Sequence, residues 1–146
     1  SMLTGDVRPT SGTASLAGYD VLTQLPQVLG QVGYCPQFDA LLEELTGVEL
    51  LRIFGAIKGV PEDKLEAVVQ SLVQKVGLAA HATNPTKGYS GGNKRKLSLA
   101  MALVGSPTLV FLDEPSSGMD PFARREMWKV IQTTAKKLGS SVILTT

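Results

Sequence analysis

Residues 109–125, LVFLDEPSSGMDPFARR, constrain this chain more than any other stretch. Leu109, Val110, Phe111 and Leu112 follow one another without a polar break, the pattern of a parallel strand buried on both faces. Such a strand needs helices on either side of its sheet, so an α/β architecture follows from a few residues. Ligands of parallel sheets bind at the C-terminal edge of the strands, and Asp113 and Glu114 stand there. A carboxylate in that place can hold Mg²⁺, directly or through water, while the metal bridges phosphate oxygens. The next one can orient or deprotonate an attacking water. A solvated acidic turn closing a buried strand is the alternative.

The rest of the chain supplies partners for such a strand. Residues 13–19 alternate loosely after a Pro-Thr-Ser-Gly turn and read as a strand, and residues 31–35 read as a second, stopped by Pro36. Thr46 and Glu49 form a capping-box pattern, and Val48, Leu51, Ile53, Phe54 and Ile57 then give a helical apolar face. Pro61 suits a first helical position, with Glu62 and Asp63 in the favourable first turn. Leu65, Val68, Val69, Leu72, Val73 and Val76 recur at helical spacing up to the stop at Gly77. Leu97, Ala100, Met101 and Val104 mark another helix, Pro121 opens one through about Leu138, and residues 141–146 read as a last buried strand. The order implies a parallel sheet with crossover helices and a helical insertion.

Composition narrows the function classes. With 146 residues, 43% of them hydrophobic and 18% charged, the chain fits one globular domain. A net charge of +1 argues against nucleic acid as a main partner. Residues 97–104, the longest nearly apolar stretch, are far short of the roughly 20 residues that span a bilayer, so the piece is expected to be soluble. Cys35 is the lone cysteine, which excludes an internal disulfide and fits a reducing setting; it reads as a small buried apolar residue.

Residues 89–97, YSGGNKRKL, are the second informative piece. Backbone N–H groups and a serine hydroxyl at a helix start can grip phosphate, and glycine allows close approach. Ser90, Gly91 and Gly92 have that form. Lys94, Arg95 and Lys96 then oppose the helix dipole by roughly 0.3–1 kcal/mol each, which a nearby anion would offset. The plainer alternative is a serine N-cap after a flexible turn, with three solvated cations. Asp120 before Pro121 is a good N-cap.

Taken in order, these pieces resemble the ATP-binding cassette (ABC) ATPase family. Ser90-Gly91-Gly92 matches its signature motif, Leu109 to Asp113 its Walker B strand, Glu114 its catalytic glutamate, residues 117–120 its D-loop and Gln37 its Q-loop glutamine. GYCPQFDALLEELTG and YSGGNKRKLSLAMALVG are similar to the A subfamily, whose members are large eukaryotic membrane proteins mostly linked to lipid movement. Asn93 in place of glutamine and Tyr89 in place of leucine fit that branch.

The resemblance implies a partial P-loop NTPase core: a parallel sheet, antiparallel edge strands and an inserted helical subdomain. Residues 1–37 would end the first core segment, 38–95 would be the helical subdomain and 96–146 the second core segment. It implies ATP and Mg²⁺ as ligands. Asp113 and Gln37 would attend the metal, and Glu114 would act on water. Ser90, Gly91, Gly92, Asn93, Gln37 and Asp120 would line the nucleotide. The implied partners are a second nucleotide-binding domain, arranged head to tail, and transmembrane domains facing residues 37–45. The implied place is the cytosolic face of a membrane. The alternatives are a cytosolic ABC ATPase of translation or DNA repair, or a non-enzymatic fragment; the short interval between Gln37 and Ser90 has no heptads of the DNA-repair kind.

The sequence holds no Gly-Lys pair and so no phosphate-gripping Walker A loop. The family places that loop just upstream of a segment like residues 1–5, and its switch histidine where residue 147 would be. His81 does not match it and reads as a surface loop residue. The chain therefore looks truncated at both ends. By itself it should neither bind ATP tightly nor hydrolyse it. Calorimetry with Mg-ATP checks this, and micromolar binding with steady phosphate release would refute it.

Overall fold

The computed structural model describes residues 7–145. Residues 1–6 and the final Thr146, on which some of the expectations above fall, lie outside the described residues. Strand β4 (Leu109–Asp113) is the spine, flanked by parallel partners β3 (Val32–Cys35) and β5 (Ser141–Thr145) in the order β3-β4-β5. Side chains alternate across a strand, and β4 shows it. Val110 and Leu112 enter the larger core, while Leu109 and Phe111 enter a smaller one with Val21, Val28 and Val32. All four side chains are buried, as the unbroken apolar run requires.

The smaller core is roofed by an antiparallel hairpin and a short helix. Residues 13–19 are not one strand. They form β1 (Ser15–Leu16) and β2 (Tyr19–Asp20), joined through Ala17 and Gly18 at φ of 51° and 85°. Positive φ at both loop positions is what a tight two-residue hairpin demands, and it reverses a chain whose alternation looked continuous. Helix α1 (Leu25–Gln31) was not legible beforehand. It is only seven residues long and contains Pro26 and Gly30, yet proline is tolerated in a first turn and Val28 is fully buried.

The larger core lies under the helical block. Helix α2 (Gly47–Ile57) begins with the expected capping box: the Thr46 N–H donates to Glu49 Oε2 at 2.8 Å and the Glu49 N–H to Thr46 Oγ1 at 3.2 Å. The Thr46 N–H, together with the Thr46 hydroxyl that also donates to Oε2, holds the Glu49 carboxyl below the usual carboxylate range. Its buried face differs from the expected one. Val48, Leu50, Leu51 and Gly55 are buried, whereas Ile53 and Ile57 are exposed, because α3 and α4 contact α2 on its other side. Gly55 sits so close to Leu65 that an added Cβ would lie 2.5 Å from its Cδ1.

Helix α3 (Glu62–Lys75) follows Pro61, which is its N-cap rather than its first residue, and buries Val69, Leu72 and Val73 before Gly77 turns at φ 69°. Helix α4 (Gly91–Leu103) runs unbroken past residue 95 and lies directly on β3. Gly33 permits this contact: a Cβ there would stand 1.9 Å from the Ala102 carbonyl oxygen. Lys58 Nζ ties the end of α2 to the sheet by donating to the carbonyls of Leu29 and Val32 at 2.9 and 2.8 Å.

Helix α5 (Pro121–Leu138) returns the chain to β5, with Asp120 as N-cap and Gly139 in the left-handed conformation at its end. Strand β5 is not the buried strand its composition suggests. Val142 and Ile143 are 36% and 44% exposed, since β5 stands at the sheet's edge with β4 on one flank. Among the described residues no helix is long and apolar enough to cross a membrane.

Replacing Gly33 by alanine should drive the new methyl into α4. Overpacking of this kind costs about 1–3 kcal/mol or more, and for a chain of this size each kcal/mol lowers Tm by roughly 2–4 °C. Thermal unfolding of G33A at or above the parental Tm would contradict the close packing of α4 on β3.

Candidate functional site

The parallel register pairs Cys35 with Leu112 and Asp113 with Thr145. Pro36 and Gln37 therefore leave the sheet beside Asp113 and Glu114, at the C-terminal edge. Three of the residues singled out from sequence thus share one rim. Cys35 beneath it is fully buried, and burial pushes its thiol up to about 11, so it stays neutral.

Asp113 is partly exposed, and one carboxylate oxygen accepts the Thr145 hydroxyl. Glu114 is partly exposed and sits at φ 45°, a left-handed conformation in a residue that is not glycine. Such conformations cost of the order of 1–3 kcal/mol and persist only when their surroundings impose them. Here the Glu114 N–H donates to the Thr145 carbonyl at 3.2 Å, and the Glu114 carbonyl accepts the Ser117 N–H at 3.0 Å.

Arg95, one turn into α4, was grouped with Lys94 and Lys96 as a solvated or anion-seeking cation. That expectation is corrected. Arg95 is 4% exposed. Its Nε donates to the Pro115 carbonyl at 3.0 Å and Nη2 to the Asp113 carbonyl at 2.6 Å. Nη1 serves the Pro36 carbonyl, the Gln37 carbonyl at 3.3 Å and Asp39 Oδ1 at 3.2 Å. Asp39 also accepts the Ser98 hydroxyl at 2.5 Å. Lys94 pairs with Glu43 at 3.2 Å. Lys94 and Arg95 therefore find acceptors inside the chain. A signal was available: Arg95, Ser98, Leu99 and Ala102 lie on one helical face at spacings of three and four, and all are buried.

At the start of α4, Ser90 is the N-cap, its Oγ accepting the Asn93 N–H at 3.2 Å. The first N–H groups of a helix have no intrahelical acceptor, so Gly91 and Gly92 present donors outward. An added Cβ at Gly91 would meet nothing within 4 Å, and neither glycine has a positive φ. Packing and backbone thus give no reason for glycine here, whereas an incoming phosphate would. Tyr89 braces the segment, its hydroxyl donating to the His81 carbonyl at 2.8 Å. His81 itself is exposed, as expected of a loop residue.

Asp120 is exposed and caps α5 through the N–H groups of Phe122 and Ala123 at 2.9 and 3.0 Å, which hold its carboxyl below the usual range. Gly118 in the preceding loop turns at φ 72°. The rim and the α4 start are two separate groups of site residues, joined through the body of α4.

The donor chemistry fits a magnesium nucleotide. Mg²⁺ is held through one or two carboxylates together with substrate phosphates rather than by an all-protein cage, and Asp113 offers a hard carboxylate oxygen at an accessible edge. The α4 start, with its hydroxyl and outward N–H groups, suits phosphate oxygens.

Comparison with known proteins identifies the family. The model of the ABC transporter family matches residues 1–117. The phospholipid-transporting ATPase ABCA3 of Rattus norvegicus is 45% identical over 144 residues, covering 99% of this chain and 8% of that protein. The retinal-specific phospholipid-transporting ATPase ABCA4 of Homo sapiens is 49% identical over 144 residues, covering 99% of this chain and 6% of its own length. The chain thus spans less than a tenth of the curated relatives it matches. A solved ATP-binding subunit of an ABC transporter superimposes with a TM-score of 0.85 at 28% identity, covering 99% of this chain and 60% of that one.

Proposed function

Because this chain belongs to the ABC transporter family, as part of a nucleotide-binding domain of its A subfamily, we propose that it serves ATP-driven transmembrane transport of lipid in a longer protein. One observation carries the catalytic part. The β3–β4 register sets the Gln37 segment beside Asp113 and Glu114 on an accessible rim. That is where a parallel sheet presents its ligand.

In this reading Asp113 and Gln37 attend Mg²⁺, which when bound neutralises charge on the phosphates. Glu114 takes the proton from the attacking water. Its left-handed backbone turns the chain sharply where β4 ends. Ser90 keeps its hydroxyl proton available while its oxygen accepts from Asn93, so it can donate to a phosphate without losing its cap. Gly91 and Gly92 add backbone N–H donors, Asn93 flanks them, and Asp120 lines the nucleotide while capping α5.

The partners are a second nucleotide-binding domain, head to tail, and transmembrane domains reached by residues 37–45 at the cytosolic face. Residues 1–37 and 96–146 act as core segments around a helical subdomain at 38–95. The phospholipid names of the relatives support lipid as the transported class.

Two outcomes follow in a complete transporter. Glu114→Gln should leave ATP binding intact and lower hydrolysis by about 10²–10⁴-fold, a barrier increase of roughly 3–5 kcal/mol. Near-normal phosphate release would place the base elsewhere. Ser90→Arg in one half should block trapping of the nucleotide held by the other half's Walker A loop and spare its own. Separate photolabelling of the halves with an ATP analogue checks this. Loss of trapping only at the mutated half's own site would show that the contact is made within one domain.

A further inference from the structure

We propose that Arg95 is a positioning residue for hydrolysis. Its guanidinium fixes the backbone that carries Glu114 and locks it to the Gln37 segment and to helix α4. The proposal rests on the catalytic reading of Glu114 given above.

The acceptors of Arg95 are not scattered. The Asp113 and Pro115 carbonyls flank Glu114 on either side, at 2.6 and 3.0 Å. The Pro36 and Gln37 carbonyls belong to the segment leaving β3. A single planar group thus joins two strand ends that the sheet's own ladder no longer joins, since the β3–β4 pairing stops at Cys35 and Leu112. It is held in turn by Asp39, which Ser98 fixes from the next turn of α4.

Mere neutralisation of a buried charge would need one carboxylate. Here most acceptors are neutral carbonyls, so what the guanidinium supplies is direction. Five N–H groups in a rigid fork can hold several acceptors at set angles. The backbone they hold includes Glu114 at φ 45°, a conformation that must be imposed from outside. Clamping the carbonyls before and after it does so.

The same helix carries Ser90 at its start, five residues or about 7.5 Å along the axis from Arg95. A shift of α4 on phosphate engagement therefore reaches Glu114 through one side chain. Lysine cannot replace this function, because an ammonium is a compact point charge with three donors.

The test compares Arg95→Lys, Asp39→Asn and Glu114→Gln in the complete transporter. Turnover is counted per nucleotide-competent site, from the stoichiometry of ATP-analogue photolabelling, so that unfolded protein drops out. A small misplacement of a catalytic group can cost up to about 10²-fold. The expected result is a kcat lowered about tenfold or more by Arg95→Lys and about threefold or more by Asp39→Asn, with KM for ATP within about twofold of the parent. Parental kcat in both variants overturns the proposal. So does a KM that rises in step with the loss, which would make Arg95 a binding residue. Should Arg95→Lys fail to fold, Asp39→Asn decides alone, and parental turnover there overturns it. Normal turnover in Glu114→Gln would instead sink the catalytic reading itself. A dead Glu114→Gln beside two fully active clamp variants would sink only the positioning role.

Discussion

Burial of β4 on both faces is the constraint from which the rest of this structure follows. Its side chains point alternately into two cores, so each face must be covered by a separate set of elements. The hairpin β1–β2 and helix α1 cover one, and the helical block with α4 and α5 covers the other. The strand can be buried only as far as it is apolar. Asp113 and Glu114 end it, and two carboxylates do not enter a core unpaired. The chain is therefore obliged to surface at the C-terminal edge, which makes an accessible, acidic rim.

Helix α4 is where packing and chemistry meet. Its middle rests on the bare backbone of Gly33. Its first turn offers Ser90 and two glycines that no packing contact among the described residues requires, and Arg95 one turn later reaches the rim. A side chain that looks like part of a cationic surface run is instead the densest polar junction in the described structure's interior. Charge-assisted hydrogen bonds contribute roughly 1.5–3 kcal/mol each when satisfied, and a buried guanidinium left without them is correspondingly costly. The cluster therefore resists piecemeal change, and α4, the Gln37 segment and the Glu114 turn are expected to move together.

Strongly local signals were legible. The Thr46–Glu49 capping box, the helical stripe ending at Gly77, the strand at residues 109–113 and the helix opened by Pro121 all stand where their residues place them, because each depends on neighbours within a turn or a strand. Signals that depend on partners were misread. Ile53 and Ile57 look like core but face out, since α3 and α4 contact α2 on another side. Val142 and Ile143 look buried but line an edge strand. The hairpin hid inside one alternating run, because the reversal rests on positive φ at Ala17 and Gly18 rather than on hydropathy.

The sequence alone determined the fold class, the family and the order of its motifs. The fold class is written in contiguous residues whose spacing mirrors the period of a strand or a helix, and the family in the resemblance of the motifs themselves. Only the tertiary structure decided what Arg95 does. Its acceptors come from residues 36, 37, 39, 113 and 115, and a guanidinium cannot show along the chain which distant carbonyls will surround it. Folding brings two strand ends and a helix to one point, and the direction of those carbonyls, set by the parallel register, turns an apparently solvated cation into a buried clamp.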